Sequence, residues 1–212
     1  MADNREGANR GRLYIISAPS GAGKTSLVRA LLATEHNLVV SVSYTTRPMR
    51  PGEQQGVDYH FVDDATFREL IKAGEFLEYA EVFDHCYGTS RSRVNEQLNK
   101  GKDVILEIDW QGAQQVRRTM PENTTIFILP PSREALERRL RNRQQDSEQV
   151  IARRLRDAMT EISHYDEFDY VLVNDDFEAT INELRGLLKS PHKGKKALSD
   201  NVIKVLDGLL NP

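Results

Sequence analysis

The sequence predicts an α/β fold: a parallel β-sheet flanked by helices and interrupted by a polar insertion. Short apolar, β-branched runs alternate along the chain with segments whose apolar residues recur at helical spacing, the pattern of strands joined by crossover helices. A glycine-rich turn links the first of those strands to the first helix. Between about residues 43 and 95 the alternation gives way to a polar stretch that holds only a short helix and a strand.

Residues 1–11 are polar and glycine-bearing and are expected to form a disordered extension, because they offer almost nothing apolar to offset the entropy of ordering. Leu13–Ile16 reads as a strand, Ser17–Gly23 as a tight loop, and Leu27, Val28, Leu31 and Leu32 as the apolar face of a helix. Leu38–Val42 is a second strand, and Ser43–Asp58, with two prolines and two glycines, a loop or irregular sheet. Asp63 or Asp64 caps a short helix carrying Phe67, Leu70 and Ile71 on one face and stopping at Gly74. A strand follows at Phe76–Phe83, then a helix capped by Thr89 or Ser90, with Val94 and Leu98 inward and Gly101 at its end.

Val104–Ile108 reads as a buried strand, Gln111–Thr119 as a helix and Thr125–Leu129 as a strand stopped by Pro130-Pro131. A charged helix starts at Ser132 or Arg133. The helix from about Ser147 is expected to bury Val150, Ile151, Leu155, Met159 and Ile162. Tyr170–Val173 is a late strand and Ala179–Leu188 an amphipathic helix. Pro191–Lys196 is a basic linker. Ala197–Leu210 suits a terminal helix whose apolar Val202, Ile203, Val205, Leu206 and Leu209 call for a packing partner, either its own body or a second subunit.

With 212 residues, 39% of them hydrophobic, the chain can bury one full core. Lys and Arg number 29 against 32 Asp and Glu, a formal net charge of −3, so no global basic field calls for nucleic acid or anionic lipid. The single Cys86 closes no internal disulfide and builds no zinc site of Cys pairs, and the five His are scattered without ligand spacing. No apolar run approaches the roughly 18 residues of a membrane span, and the N-terminus lacks the apolar core of a signal peptide. The expectation is a soluble cytoplasmic protein without structural metal, nucleic-acid partner or membrane contact, with homo-oligomerisation left open.

The run Ala18-Pro19-Ser20-Gly21-Ala22-Gly23-Lys24-Thr25 lies between the first strand and the first helix, the context a phosphate-binding loop requires. Gly21 and Gly23 let backbone N–H groups turn toward one point, and the helix N-terminus adds its positive dipole end. Lys24 can then span the β- and γ-phosphates, and the Thr25 hydroxyl can ligate Mg²⁺ held between them. The pattern GxxxxGK[ST] fails at its first position, where Ala18 stands, but a methyl is tolerable there if φ stays negative. The bland alternative is a glycine-rich turn with no ligand. Nucleotide binding alone does not name the reaction.

Beyond this loop, SAPSGAGKTS, SYTTRPMRPGEQQGVDYHF, EFLEYAEVFDHCYGTS and VILEIDWQGAQQV occur in that order, and together they resemble the guanylate kinases, over about residues 12–190. The resemblance implies a P-loop kinase core (12–42 and 96–190), a mixed α+β GMP-binding insertion (43–95), a helical lid at about 133–157, and a tail at 191–212. It implies phosphorylation of GMP by ATP with Mg²⁺, and of dGMP as a second acceptor. Arg47 and Arg50 match the arginines that hold the acceptor phosphate, where a planar guanidinium suits bidentate contact. Tyr59 and Tyr87 match tyrosines that donate to the same phosphate, their alternative role being aromatic packing.

Glu78 matches the carboxylate that accepts from guanine N1–H and the exocyclic amine, a donor pair that AMP lacks. Ser43 and Thr89 match hydroxyls near guanine O6, and Asp109 a carboxylate in reach of the guanine amine. Glu107, two residues before Asp109, shares its side of the strand. One of the two is expected to face the magnesium and its waters, a solvated strand end being the alternative for Glu107.

The segment Arg133–Asp157 holds eight arginines against five acidic residues. Arg133, Arg138, Arg141 and Arg156 read as a solvated helix surface with i,i+4 ion pairs. Arg139, Arg143 and Arg154 match lid arginines that stabilise charge on the transferring group. An RNA-binding helix is a weaker reading, since no aromatic residue interleaves these arginines. The lid turn Asn142-Arg143-Gln144 departs from the glycine-flanked turn frequent in the family. Asn174, in VLVNDD, matches a position next to the adenine of ATP. Cys86 carries no sign of thiol activation. The competing functions are a guanylate-kinase-like binding module and a kinase for another small phosphate acceptor.

Overall fold

The computed structural model describes residues 10–82, 84–142, 148–190 and 197–211. In chain order these form β1 (Leu13–Ser17), α1 (Lys24–Leu32), β2 (Leu38–Val40), β3 (Tyr44–Thr45), β4 (His60–Phe61), α2 (Asp64–Lys72), β5 (Phe76–Val82), β6 (His85–Ser90), α3 (Arg91–Asn99) and β7 (Asp103–Glu107). There follow α4 (Trp110–Thr119), β8 (Asn123–Leu129), α5 (Arg133–Arg141), α6 (Glu148–Ile162), a 3-10 turn (Tyr165–Glu167), β9 (Tyr170–Val173), α7 (Phe177–Lys189) and α8 (Asp200–Leu210).

Five strands make a parallel sheet in the order β2-β7-β1-β8-β9, with β2 in register on β7 from Leu38 opposite Asp103 and β8 on β9 from Ile126 opposite Tyr170. The strands read as apolar runs because they are covered on both faces: Tyr14, Ile15, Ile16, Val104, Ile105, Leu106, Ile126, Phe127, Ile128 and Leu129 are all buried. The second sheet is mixed, in the order β4-β3-β6-β5; β3 pairs parallel with β4 and antiparallel with β6.

The chain divides into two compact units, one from the N-terminus to Tyr14 with Asn37–Leu106 and Gln111–Asn123, the other of Ile15–His36, Glu107–Trp110 and Thr124 onward. In the first, Asp63 accepts from Thr66 N and so caps α2, Gly74 ends that helix at φ +67°, and Ser90 caps α3 by accepting from Arg93 N. In the second, Ser132, Asp176 and Ser199 do the same for α5, α7 and α8.

Several expectations are corrected. The strand β6 has no counterpart in the sequence reading, because HCYGTS lacks an apolar alternation; it forms by pairing along β5, from Val82 opposite His85 to Phe76 opposite Ser90, with Asp84 in the left-handed region at φ 65° at the turn. Of Ser43–Asp58, expected as a loop or irregular sheet, Tyr44–Thr45 forms β3; its partner β4 is too short to carry a pattern. The second strand ends at Val40 rather than Val42, although Ser41 N still reaches Ile105 O. Val150, expected inside, is 39% exposed, and Ala158 is buried on α6 together with Ile151 and Ile162. Residues 1–9 of the N-terminal extension, Phe83, Ser147 and the linker Pro191–Lys196 lie outside the described residues; at the end of the extension, Gly11 N donates to Leu98 O and Arg10 to Asn95 Oδ1.

The terminal helix α8 packs on its own body, against β9 and α6, with Val202, Leu206 and Leu209 buried. Leu209 is 1% and Ile203 52% exposed, so one helix supplies both a buried and a free apolar side chain. Leu209→Ala is expected to cost about 2–4 kcal/mol in denaturant unfolding, against less than about 0.5 kcal/mol for Ile203→Ala. Equal, small effects of the two would show that α8 contributes nothing to the fold.

Candidate active site

In the second unit the loop from β1 to α1 takes the conformation that its glycines permit: Gly21 at φ +93° and Gly23 at φ +98°. Gly23 is the N-cap of α1, so the first N–H groups of that helix, which have no intrahelical acceptor, open onto the loop. Ala18 and Ala22 are buried, Ala18 without positive φ, and Ala22 N closes a turn onto Pro19 O at 3.0 Å. Beside the loop, a Cβ on Gly21 would stand 3.0 Å from Leu136 and 3.2 Å from Leu140 of α5.

The end of β7 meets the start of α1. The Thr25 hydroxyl donates to Glu107 Oε2 at 3.1 Å and Lys24 Nζ to Ile108 O at 3.3 Å. Of the two carboxylates, it is Glu107 that stands against Thr25. A hydroxyl beside a carboxylate is an oxygen donor pair suited to Mg²⁺, so these residues fit the ion that the sequence implied. Arg139 reaches from α5 to the loop, donating to Ala22 O at 3.3 Å and to Asn174 O at 3.0 Å, and the Asn174 side chain donates to Ala22 O at 2.7 Å. Arg154 lies half-buried on α6; Arg143 is outside the described residues. Arg141 does pair with Glu137 at 2.8 Å and with Glu148, as expected of a solvated helix surface.

In the first unit, Arg47 is 9% exposed. Its Nη1 donates to Pro48 O at 2.8 Å, its Nη2 to Glu53 Oε1 at 2.6 Å, and its guanidinium lies 5.3 Å from the ring centre of Tyr59 and 5.6 Å from that of Phe61. Tyr59 meets Tyr87 edge-on at 5.9 Å. Burial by itself would lower the Arg47 pKa, but the bond and charge of Glu53, with Tyr87 and Tyr59, outweigh it and the pKa is raised. The same bond from Arg47 holds the Glu53 carboxyl below the usual range. Arg50 is exposed, and its backbone N–H donates to the other Glu53 oxygen at 2.7 Å.

The β5–β6 hairpin sets Glu78 directly opposite Thr89. Glu78 is 3% exposed, and the Thr89 hydroxyl donates to its Oε1 at 2.5 Å. Ser43 lies just before β3, its carbonyl accepting from His60 N at 2.8 Å. Thus Arg47, Tyr59 and Tyr87 are brought into one cluster, and Glu78 and Thr89 into one pair. Cys86 is half-buried with its thiol pushed up by burial, in keeping with an unactivated side chain.

A model of the guanylate kinase family matches residues 10–191. A guanylate kinase of Methylococcus capsulatus is 61% identical over 181 residues, covering 85% of this chain and 89% of that protein, and one of Vibrio vulnificus is 53% identical over 203 residues, covering 95% and 98%. The chain belongs to the guanylate kinase family. The crystal structure of guanylate kinase from Anaplasma phagocytophilum is similar at a TM-score of 0.73 and 36% identity, covering 94% of this chain and 95% of that one. Guanylate kinase activity, the phosphorylation of GMP, goes with that membership, and the protein is an enzyme rather than a binding module of the same fold. No helix among the described residues is long and apolar enough to cross a membrane.

Two carboxylates near these groups escaped the sequence reading. Glu53 had a signal, a lone acid three residues beyond a pair of arginines in a proline- and glycine-bearing loop. Glu161 had none: it looks like any polar residue of an amphipathic helix. In this guanylate kinase it stands near Lys24, Asp109 and Asp157, and desolvation pushes its carboxyl up to about 7, Lys24 drawing it down and the two aspartates adding to the rise. Its protonated form is therefore favoured by folding, and the stability this contributes is complete below the unfolded carboxyl range and lost as pH rises through about 7. In the nucleotide-free enzyme, Glu161→Gln should raise the melting temperature at pH 8 relative to wild type, with the gain vanishing at pH 4.5. A gain independent of pH would refute the raised carboxyl.

Proposed function

We propose that the enzyme transfers the γ-phosphoryl group of ATP to the phosphate of GMP, and of dGMP, in the cytoplasm. A GMP phosphate oxygen bonds to the γ-phosphorus as the bond from that phosphorus to the β,γ-bridging oxygen breaks, giving GDP and ADP. The acceptor is already an anion, so no base has to take a proton from it; positioning and charge stabilisation carry the catalysis. The lone, unactivated Cys86 suits a reducing compartment.

The guanine specificity rests above all on the buried Glu78–Thr89 pair. A carboxylate 3% exposed, with one oxygen accepting from the Thr89 hydroxyl, is an acceptor that matches the donor pair of guanine N1–H and its amine. Adenine lacks that donor pair and would turn its own N1 lone pair toward the carboxylate, and a site so built rejects the wrong base strongly. Ser43 and Asp109 are proposed to add contacts at O6 and the amine. Arg47 and Arg50, with the hydroxyls of Tyr59 and Tyr87, hold the acceptor phosphate; because these contacts are to base and phosphate, dGMP is served as well.

On the donor side the backbone of residues 18–25 receives the phosphates, and Lys24 spans the β- and γ-groups. Thr25 and Glu107 would hold Mg²⁺, which when bound neutralises charge between those phosphates. Arg139, Arg143 and Arg154 are assigned to the charge that develops on the transferring group. The stretch about 133–157 serves as lid and 43–95 as GMP-binding insertion, so that water is excluded when both substrates are bound.

Incubation with ATP, Mg²⁺ and, separately, GMP, AMP, UMP and TMP should give ADP together with a diphosphate for GMP alone. Glu78→Gln, which turns an acceptor into a donor toward the guanine amine, should lower kcat/KM for GMP by about a hundredfold or more. Full activity of that variant would remove the carboxylate from base recognition. Lys24→Ala should lower kcat by about a thousandfold while leaving the melting temperature within about 2 °C of wild type; wild-type turnover would overturn the donor-site assignment.

A further inference from the structure

The Asn174 side chain is turned onto the phosphate loop. The residue is 5% exposed and pinned from both sides: its N–H donates to Leu129 O at 2.8 Å at the end of β8, and its carbonyl accepts from Arg139 Nη2 at 3.0 Å. The amide nitrogen donates to Ala22 O at 2.7 Å, and the orientation of the amide is forced, because its oxygen in that place would face another oxygen. The same nitrogen would stand 2.4 Å from a Cβ on Gly23, so it occupies the space that a side chain at Gly23 would need.

We infer that Asn174 is a positioning residue of the phosphate loop, which by holding the Ala22 carbonyl aims the Gly23 N–H at the nucleotide phosphates. The peptide joining Ala22 to Gly23 is trans, so its C=O and its N–H point in opposite directions. Drawing the carbonyl toward Asn174 turns the N–H away from it, to the side where the first N–H groups of α1 open. Arg139 contributes a second, longer bond to the same carbonyl, so the peptide plane is held from two directions. The resulting anion contact is to phosphate and is indifferent to the base. This deepens the phosphate-loop reading above and rests on it.

The test is calorimetric titration of the full chain, wild type, Asn174→Ala and Asn174→Asp, with Mg²⁺ present and three probes used separately: ATP, inorganic tripolyphosphate and GMP. A positioning role predicts that Asn174→Ala weakens ATP and tripolyphosphate by the same factor, about tenfold for one buried hydrogen bond, and leaves GMP unchanged. Asn174→Asp keeps the shape but sets a carboxylate against the Ala22 carbonyl, so it weakens both phosphate probes further; being isosteric, it also serves if the alanine variant does not fold. Loss of ATP affinity with tripolyphosphate unaffected would make Asn174 a contact to the nucleoside and overturn the inference. So would unchanged affinity for both, or a loss of GMP affinity in step with the others, which would mark a merely structural residue. Wild-type protein that binds GMP but neither phosphate probe would instead bring down the phosphate-loop reading itself, and the inference with it.

Discussion

A cradle of backbone N–H groups exists only while the turn between β1 and α1 keeps a conformation that most residues resist. Gly21 and Gly23 both sit in the left-handed region, and inside the loop the bond from Ala22 N to Pro19 O closes the turn. The shape is held from outside as well. Leu136 and Leu140 fill the space beside Gly21, Asn174 the space beside Gly23, and the end of β7 takes the side chains of Lys24 and Thr25. Each of these contacts requires the absence of a Cβ or the presence of a particular polar atom. The loop motif and its surroundings thus specify one another: an alanine at Gly23 would be strained by its φ and would collide with the asparagine as well.

The first unit solves a similar problem with a charge. An arginine is long, flexible and costly to bury unpaired. Here Glu53 satisfies one side of the Arg47 fork, Pro48 O another, and the rings of Tyr59 and Phe61 flank it. The other oxygen of Glu53 fixes the loop by accepting from Arg50 N, so one carboxylate sets both the guanidinium and the backbone that carries the second arginine.

The fold was legible where burial dictates composition. The strands of the five-stranded sheet are apolar runs because both faces are covered, and the caps at Asp63, Ser90 and Ser132 occupy positions where a side-chain oxygen must take an orphan N–H. What escaped was structure held by partners rather than by its own pattern. Strand β6 is polar and pairs because β5 lies beside it, and Val150, which fits the helical period of α6, faces water because the buried stripe of that helix runs through Ile151, Ala158 and Ile162. At the site, the glycine-rich spacing between a strand and a helix marked out residues 18–25, and the resemblance carried by the four motifs pointed to Arg47, Arg50 and Glu78. They left out Glu53, whose one signal is its spacing beyond the two arginines, and Glu161, whose significance comes from proximity alone, and could not reveal that Asn174 is turned inward onto Ala22.

These braces have an electrostatic cost that explains their form. In the proposed acceptor site two arginines would attract a phosphate dianion most strongly if nothing else were charged, and Glu53 would cancel part of that attraction. The gain is order: a guanidinium already fixed before the ligand arrives loses little rotamer freedom on binding, and a side chain as long as arginine otherwise gives up about 2 kcal/mol. For a transferase this is the better exchange, because affinity for the ground state does not by itself speed the reaction, whereas donors fixed where charge develops do. At the donor loop the shorter of the two bonds comes from a neutral group. The Asn174 amide holds the Ala22 carbonyl at 2.7 Å, and the Arg139 guanidinium adds a longer bond at 3.3 Å. The difference follows from the groups being positioned: a guanidinium needs an anionic partner to stay buried in one place, whereas a peptide plane needs only a donor for its oxygen.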